Sequence, residues 1–284
     1  MDTRSDGRSY EVTHEDVAYQ QVGGKAMLAR LYHPVGAAGA VPALVEVHGG
    51  AWTSGDRLNN SLIAAALARA GNVVLSLDFR MPPEAPYPDS IADINLGIRW
   101  LKAHAREFGA NPDCVGGLAT SSGGQQLMLA AMKPRDPRFA ALPLAGAEAI
   151  DARLAFVILC WPVVDPLARY RMAQEKKIDR FLQAHHAFFG TEAAMAEGNP
   201  QLVLERGEPV ERPPVLILQG TADDNLTPDM ADRFAAAYRQ AGGTAELHKF
   251  EGQPHMFVTK DPNTEAAQRA LALMTAFVRS QASA

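Results

Sequence analysis

The sequence has few cysteines, no long apolar run and no concentration of charge of one sign. Two cysteines, Cys114 and Cys160, occur among 284 residues, too few for the disulfide framework of small secreted domains. Both lie in apolar, strand-like runs, so we expect two buried thiols. No run of about 18 apolar residues occurs, which predicts no membrane span. The opening residues lack the apolar stretch of a secretory signal, so the expected compartment is the cytoplasm.

The charge balance excludes one class of partner. The formal net charge is −5 at pH 7, and no basic run or stripe occurs, so we expect no nucleic-acid partner. Hydrophobic residues make up 47% and charged residues 21% of the chain, as in globular proteins with a sizeable core. No internal repeat or low-complexity linker divides the sequence. One domain covering residues 1–284 is therefore expected.

Apolar runs of strand length alternate with longer helix-like patterns. The predicted strands are Pro42–Val47, Val73–Asp78, Cys114–Ala119, Ala155–Cys160, Val215–Gln219 and Glu246–Phe250. The predicted helices are Ser61–Ala70, Ser90–Phe108, Ser122–Met132, Asp229–Ala241 and Thr264–Ser280. Before them, Tyr10–His33 is typical of an antiparallel hairpin that turns at Gly23–Gly24. This alternation predicts an α/β fold, a mostly parallel sheet with helices on both faces.

One segment interrupts the alternation. Residues 161–213 contain charges, two histidines and helix-like stretches but no strand pattern. A structureless loop of that length is uncommon in a compact domain. We therefore predict a helical cap insertion over the carboxyl edge of the sheet, where such folds bind ligands. Trp161, at its start, and Trp52 are expected to line the substrate pocket.

A serine lies between a predicted strand and the helix that follows, in the run LATSSGG. A nucleophile elbow needs small residues two positions before and two positions after its serine. Ala119 and Gly123 supply them around Ser121, with alanine in place of the usual glycine. Ser122 is a rival nucleophile, although its flanking Thr120 fits a crowded turn poorly. A plain helix N-cap is the alternative interpretation of this serine.

A glycine-rich turn follows the first parallel strand. It consists of His48, Gly49, Gly50, Ala51 and Trp52. Glycines let backbone N–H groups come close to a developing oxyanion. We expect the N–H groups of Gly50, Ala51 and Ser122 to form an oxyanion hole. His48 and Gly49 are expected to support the loop.

Two later loops carry an acid and a base. Asp223 and Asp224 follow a predicted strand, and either carboxylate could orient an imidazole. His255 lies in a Gly/Pro loop between the last predicted strand and the last helix. The order serine, aspartate, histidine is that of hydrolases with a nucleophile elbow. Since each group follows a strand, Ser121, an aspartate and His255 should converge at one edge of the sheet.

These motifs resemble those of the hormone-sensitive-lipase and related carboxylesterase families of α/β-hydrolases. The turn at His48–Trp52 is similar to their HGG motif, in the HGGxW form also seen in feruloyl-esterase-like and kynurenine-formamidase-like relatives. The stretch Asp78–Glu84, DFRMPPE, resembles D-Y-R-x-A-P-E, and the elbow resembles G-D-S-A-G-G with Ser121 as nucleophile. Gly220–Asp223 resembles G-x-x-D, and Gly252–Phe257 resembles G-x-x-H-x-F.

The resemblance runs from about residue 25 onward and implies the α/β-hydrolase fold. It also implies that Asp223 is the acid of the triad. The implied function is that of a serine carboxylesterase, which hydrolyses small or short-chain acyl esters without a cofactor or metal. The implied partner is a small-molecule ester, and a homodimer is common among such relatives. The chain departs from the family pattern at Ala119 and Thr120, where the family has glycine and aspartate.

Three other functions use the same motifs. An arylformamidase or amidase shares the HGGxW turn, and a serine peptidase of the prolyl-oligopeptidase type shares the acid loop. Such peptidases usually carry a large propeller, for which this chain has no room. A small-molecule receptor on the same fold would bind its ligand without catalysing a reaction. Such receptors tend to lose a member of the triad, whereas this sequence offers all three.

Overall fold

The predicted strands form one sheet in the computed structural model, which describes residues 9–283. The strands are β1 (Val12–Val22), β2 (Lys25–Pro34), β3 (Val41–Val47), β4 (Val73–Leu77), β5 (Ala110–Thr120), β6 (Val157–Cys160), β7 (Val215–Gly220) and β8 (Ala245–Phe250). Their order in the eight-stranded sheet is β1-β2-β4-β3-β5-β6-β7-β8. β1, β2 and β4 pair antiparallel, and every other neighbouring pair is parallel. The predicted hairpin is confirmed, with Gly23 and Gly24 at its turn, both at positive φ.

The helices connect the strands and cover the sheet. They are α1 (Ser61–Arg69), α2 (Asp89–His104), α3 (Ser122–Met132), α4 (Pro166–Glu175), α5 (Asp179–Phe189), α6 (Glu192–Glu197), α7 (Pro200–Glu205), α8 (Met230–Gln240), α9 (Phe257–Lys260) and α10 (Glu265–Ala282). A 3-10 turn over Ala105–Phe108 extends α2. Helices α4 to α7 all fall within residues 161–213, in which no strand was predicted.

The core lies in two layers because side chains of a strand alternate between the two faces of a sheet. On β3, Val45 packs in the layer that contains α2, α3 and α8, whereas Leu44 packs in the layer that contains α1 and α10. The strands of the sheet's centre are therefore buried on both faces, which explains their continuous apolar runs. The predicted α/β architecture, with helices on both faces, is confirmed.

The sequence also predicted two buried cysteine thiols and no membrane span. Cys114 and Cys160 are both buried and both free, as the sequence predicted. Within residues 9–283, no helix is both long enough and apolar enough to cross a membrane.

Candidate active site

Ser121 occupies a sharp turn between β5 and α3. Its backbone has φ 50° and ψ −122°, a strained conformation that costs about 1–3 kcal/mol and is typical of functional sites. A Cβ atom at Gly123 would lie 2.4 Å from the carbonyl oxygen of His48. Glycine is therefore required two residues after the serine, because the first turn of α3 packs against the backbone of the HGG turn.

The structure brings together the serine, histidine and aspartate that the sequence singled out. Nε2 of His255 lies 3.0 Å from Oγ of Ser121, and Nδ1 of His255 lies 2.8 Å from Oδ2 of Asp223. All three side chains are buried. The arrangement suits a neutral imidazole that donates from Nδ1 to the carboxylate and accepts the serine proton at Nε2.

The end of β7 and the loop after it fix the carboxylate of Asp223. Its Oδ2 accepts a second hydrogen bond from Nε2 of Gln219 at 3.0 Å, and its Oδ1 accepts one from the backbone N–H of Asn225 at 3.0 Å. Asp224 points elsewhere and is exposed. The geometry thus places Asp223, and not its neighbour, against His255.

The side chain of Ser122 faces away from His255. It is buried, and its Oγ accepts a hydrogen bond from the backbone N–H of Trp52 at 3.2 Å. The hydroxyl therefore connects α3 to the HGG turn. Of the two adjacent serines, Ser121 alone lies within hydrogen-bonding distance of His255 in the described chain.

The HGG turn borders the cleft and has backbone N–H groups without partners in the described part of the chain. Gly50 has φ 116° and Ala51 has φ 51°, and a Cβ atom at Gly50 would lie 1.8 Å from the carbonyl oxygen of Ser54. Among the hydrogen bonds of residues 9–283, none uses the N–H of Gly50, Ala51 or Ser122. Gly50 and Ala51 line the same cleft as Ser121. Three N–H groups near the serine are thus free for a ligand oxygen.

His48 lies beneath this turn. Its Nδ1 donates to the carbonyl oxygen of Gly49 at 2.6 Å, and its ring stacks on Phe79 with 4.3 Å between centroids. Burial lowers the pKa of His48, so the ring is neutral at pH 7. The histidine is placed to hold the turn, as the sequence analysis expected, and it does not reach Ser121.

A buried polar network that the sequence did not reveal supports the turn from the other side. Oγ1 of Thr120 accepts hydrogen bonds from the N–H of Gly49 at 3.0 Å and from Nδ2 of Asn60 at 3.0 Å. Nδ2 of Asn60 also donates to Oε1 of Glu46 at 2.6 Å. Burial raises the pKa of Glu46 to about 7, although the hydrogen bond from Asn60 opposes this shift. Thr120, which replaces the family's aspartate, is thus an acceptor for the oxyanion turn.

A cleft of about 350 Å³ opens above Ser121 and His255. Trp161 lines it, as predicted, and its indole packs edge-on against His255 with 6.3 Å between centroids. Trp52 does not line it, so that expectation was wrong. Its ring is 1% exposed and lies under α5, stacked on Phe188, while its Nε1 donates to Gln125 at 2.9 Å. The backbone of Trp52 also has a positive φ of 64°.

Helices α4 and α5 supply the rest of the wall. Their contributions to the cleft are Arg169, Arg180, Phe181 and Ala184. Arg169 is 2% exposed, and its Nε donates to the carbonyl oxygen of Asn225 at 3.0 Å. None of these four residues was predicted from the sequence, in which residues 161–213 carry no motif that marks them. Residues 9–283 contain no cluster of histidine, cysteine and acidic side chains that could hold a metal ion.

The chain is similar in sequence to known proteins. The BD-FAE family model matches residues 30–238. The chain is similar to the probable carboxylic ester hydrolase LipM of Mycobacterium tuberculosis, at 34% identity over 128 residues, which are 45% of this chain and 29% of that protein. It is similar to the esterase LipC of the same organism, at 28% identity over 217 residues, which are 72% of this chain and 51% of that protein. The chain thus spans about half or less of the length of these two relatives.

Solved structures show the same fold. An esterase of Thermogutta terrifontis with bound propionate superposes with a TM-score of 0.74 at 26% identity, covering 97% of this chain and 95% of that one. The carboxylesterase EstE1, cloned from a metagenomic library, superposes with a TM-score of 0.77 at 24% identity, covering 98% of this chain and 91% of that one. The fold is therefore the α/β-hydrolase fold of these esterases.

Proposed function

The chain belongs to the BD-FAE family, and on that premise we propose that it is a serine carboxylesterase acting on small or short-chain acyl esters. One observation carries the proposal: Ser121, His255 and Asp223 form a continuous hydrogen-bonded relay beside free backbone N–H groups. Every relative named above is described as an esterase or carboxylic ester hydrolase. Propionate bound to the Thermogutta esterase is a short acid, which supports a short acyl group here.

In the acylation half, Oγ of Ser121 attacks the ester carbonyl while Nε2 of His255 takes the hydroxyl proton. The carbonyl oxygen gains negative charge and accepts hydrogen bonds from the N–H groups of Gly50, Ala51 and Ser122. Since Ser122 is the first residue of α3, the positive end of that helix also faces the oxyanion. The bond to the leaving oxygen then breaks, and His255 returns the proton to the departing alcohol.

In the deacylation half, water attacks the ester formed on Ser121. His255 accepts a proton from this water, and the same N–H groups hold the second oxyanion. Collapse of the intermediate releases the acid and returns the proton to Oγ. Asp223 remains ionised throughout, because its role is to orient the ring of His255 and to stabilise its cationic form.

We also propose that residues 161–213 form a cap inserted into one hydrolase domain, since α4 and α5 line the cleft. The cap would limit the size of the acyl or alcohol group. A homodimer and a cytoplasmic location stay predictions, which light scattering and cell fractionation would test.

The decisive experiment compares the wild type with Ser121→Ala on p-nitrophenyl esters from acetate to dodecanoate. We expect the wild type to favour the short esters and Ser121→Ala to lose about 10⁶-fold in rate. Ser122→Ala is the matched control: it should still form a covalent adduct with a serine-reactive phosphonate, whereas Ser121→Ala should form none. A wild type that cleaves formanilides faster than esters would indicate a formamidase. A wild type that forms no adduct would indicate a receptor.

A further inference from the structure

Arg169 is a buried cation in the wall of the cleft that holds Ser121 and His255. It lies on α4, in the segment that covers the carboxyl edge of the sheet. Only 2% of the residue is exposed. Arginine is rarely buried to this extent unless its charge has a partner, so its position calls for an explanation from its surroundings.

The protein pairs the guanidinium incompletely. Nε donates to the carbonyl oxygen of Asn225 at 3.0 Å, whereas Nη1 is buried without a partner among the described residues. Asp223 is the carboxylate whose charge acts on Arg169, but its two oxygens already accept hydrogen bonds from His255, Gln219 and Asn225. A buried charge without a full set of partners is destabilising.

Two aromatic rings hold the guanidinium in place. Cζ of Arg169 lies 3.9 Å from the ring centroid of Phe181 and 5.5 Å from that of Trp52. Such cation–π contacts engage the face of the guanidinium and leave the N–H groups at its edge available. Burial lowers the pKa of Arg169 to about 9, so the side chain is still cationic at neutral pH.

The wall of the cleft has an unbalanced charge. Apart from His255, its titratable side chains within residues 9–283 are Arg169 and Arg180, and no aspartate or glutamate lines it. Trp161 adds a buried indole N–H that has no partner. The cleft therefore offers two cations and an extra donor to whatever occupies it, in addition to the N–H groups that face Ser121.

We propose that the cleft is built for esters that carry a free carboxylate, and that the guanidinium of Arg169 binds this carboxylate. A carboxylate matches the paired N–H groups at the edge of a guanidinium. It would also satisfy Nη1, which the protein leaves unpaired. A cleft of about 350 Å³ suits a short hemiester of a dicarboxylic acid or a short acylated hydroxy acid. This inference rests on the proposed esterase function and specifies its substrate class.

A purely structural role for Arg169 predicts something different. Through its bond to Asn225, Arg169 holds the loop that carries Asp223. If that were its sole role, replacing it would slow the hydrolysis of charged and neutral esters by the same factor. The ratio of the two rates therefore separates substrate binding from loop positioning.

The test uses matched pairs of esters followed in a pH-stat. Monomethyl glutarate is compared with methyl pentanoate, which places the carboxylate on the acyl side, and acetoxyacetate is compared with propyl acetate, which places it on the alcohol side. We expect the wild type to prefer the anionic member of at least one pair by about ten-fold or more in kcat/KM, the usual contribution of a hydrogen bond to a charged group. Equal rates within both pairs would overturn the proposal.

Variants assign the preference to the side chain. Arg169→Met should abolish the preference for the anionic ester, and Arg169→Lys should restore part of it. Arg171→Met is the control, because Arg171 is an exposed arginine on the same helix, and it should keep the wild-type ratio. If Arg169→Met kept the ratio, Arg169 would be a loop-positioning residue and the proposal would be wrong.

A binding measurement tests the proposal even if Arg169→Met does not fold or if the wild type has no esterase activity. Calorimetry on Ser121→Ala should detect monomethyl glutarate at concentrations at which the neutral methyl pentanoate does not bind, and Arg180→Gln, which keeps the buried arginine, should retain most of this difference. Failure of this binding overturns the carboxylate site. Hydrolysis of neutral esters by the wild type would still support the esterase, so the two proposals fail separately.

Discussion

Oγ1 of Thr120 lies 3.0 Å from the backbone N–H of Gly49, so the strand that ends at the nucleophile is bonded directly to the oxyanion turn. Both segments depend on close backbone packing, since a Cβ atom at Gly49 would lie 2.9 Å from the Cβ atom of Ser121. The threonine thus fixes the distance between the attacking oxygen and the donors that receive the oxyanion. Small errors in that distance are costly in catalysis.

Replacing Thr120 by valine should lower kcat with little change in KM. Valine has the same shape but cannot accept the hydrogen bonds of Gly49 and Asn60, and each lost bond is worth about 1 kcal/mol. We expect kcat for p-nitrophenyl acetate to fall by about ten-fold. Thr120→Ser keeps the acceptor and should stay close to the wild type. If both variants were equally active, the hydroxyl would have no part in positioning the turn.

Replacing Asp223 by asparagine should reduce kcat by about 10³–10⁴-fold, because the imidazole of His255 would lose its orientation and favoured tautomer. Asp224→Asn is the matched control, since Asp224 is exposed and makes no contact with His255 in the described structure. It should keep nearly full activity. Similar losses in the two variants, measured by steady-state kinetics, would contradict the assignment of Asp223.

Glu46 should make the protein less stable as the pH rises. Its pKa is about 7 in the folded state against 4.5 in the unfolded chain, so the folded state binds the proton more tightly. Ionisation of Glu46 therefore lowers the free energy of unfolding. This loss is absent below pH 4.5, grows between pH 4.5 and 7, and is complete above that range. A shift of this size corresponds to about 3 kcal/mol.

The variant Glu46→Gln measures this penalty. Its amide oxygen still accepts from Asn60 but never ionises, so urea unfolding should show it gaining about 3 kcal/mol over the wild type between pH 4.5 and 8. Glu15→Gln, at an exposed site on β1, should show no such gain. A constant difference between Glu46→Gln and the wild type across this pH range would mean that Glu46 titrates normally.

The strands and the groups at their ends were predictable because both depend on local pattern. Strand-length patterns, several of them continuous apolar runs, predicted β3 to β8 within a few residues of their observed bounds. Polar residues just after those runs must lie at one sheet edge when the strands are parallel, and the structure brings Ser121, Asp223 and His255 together there. Composition did not separate Asp223 from Asp224; the family resemblance favoured Asp223, and the structure places it against His255 and leaves Asp224 exposed.

The residues that support the site were not predictable from local pattern. The link between Thr120 and Gly49 joins positions 71 residues apart, and nothing in the sequence near either residue indicates it. Trp52 was expected in the pocket, but its ring lies under α5, stacked on Phe188. Arg169 was not singled out from the sequence, and its burial depends on contacts of α4 with a loop 56 residues away.

His255 follows Ser121 by 134 residues, and β8 and the loop after it are the last parts of the sheet edge to be synthesised. A nascent chain that has just completed α3 would contain the hydroxyl and the oxyanion turn but no base. Such an intermediate would also lack the wall of the cleft that α4 and α5 supply. Chemistry would begin once β8 has paired with β7, so the onset of turnover during translation would report closure of the sheet.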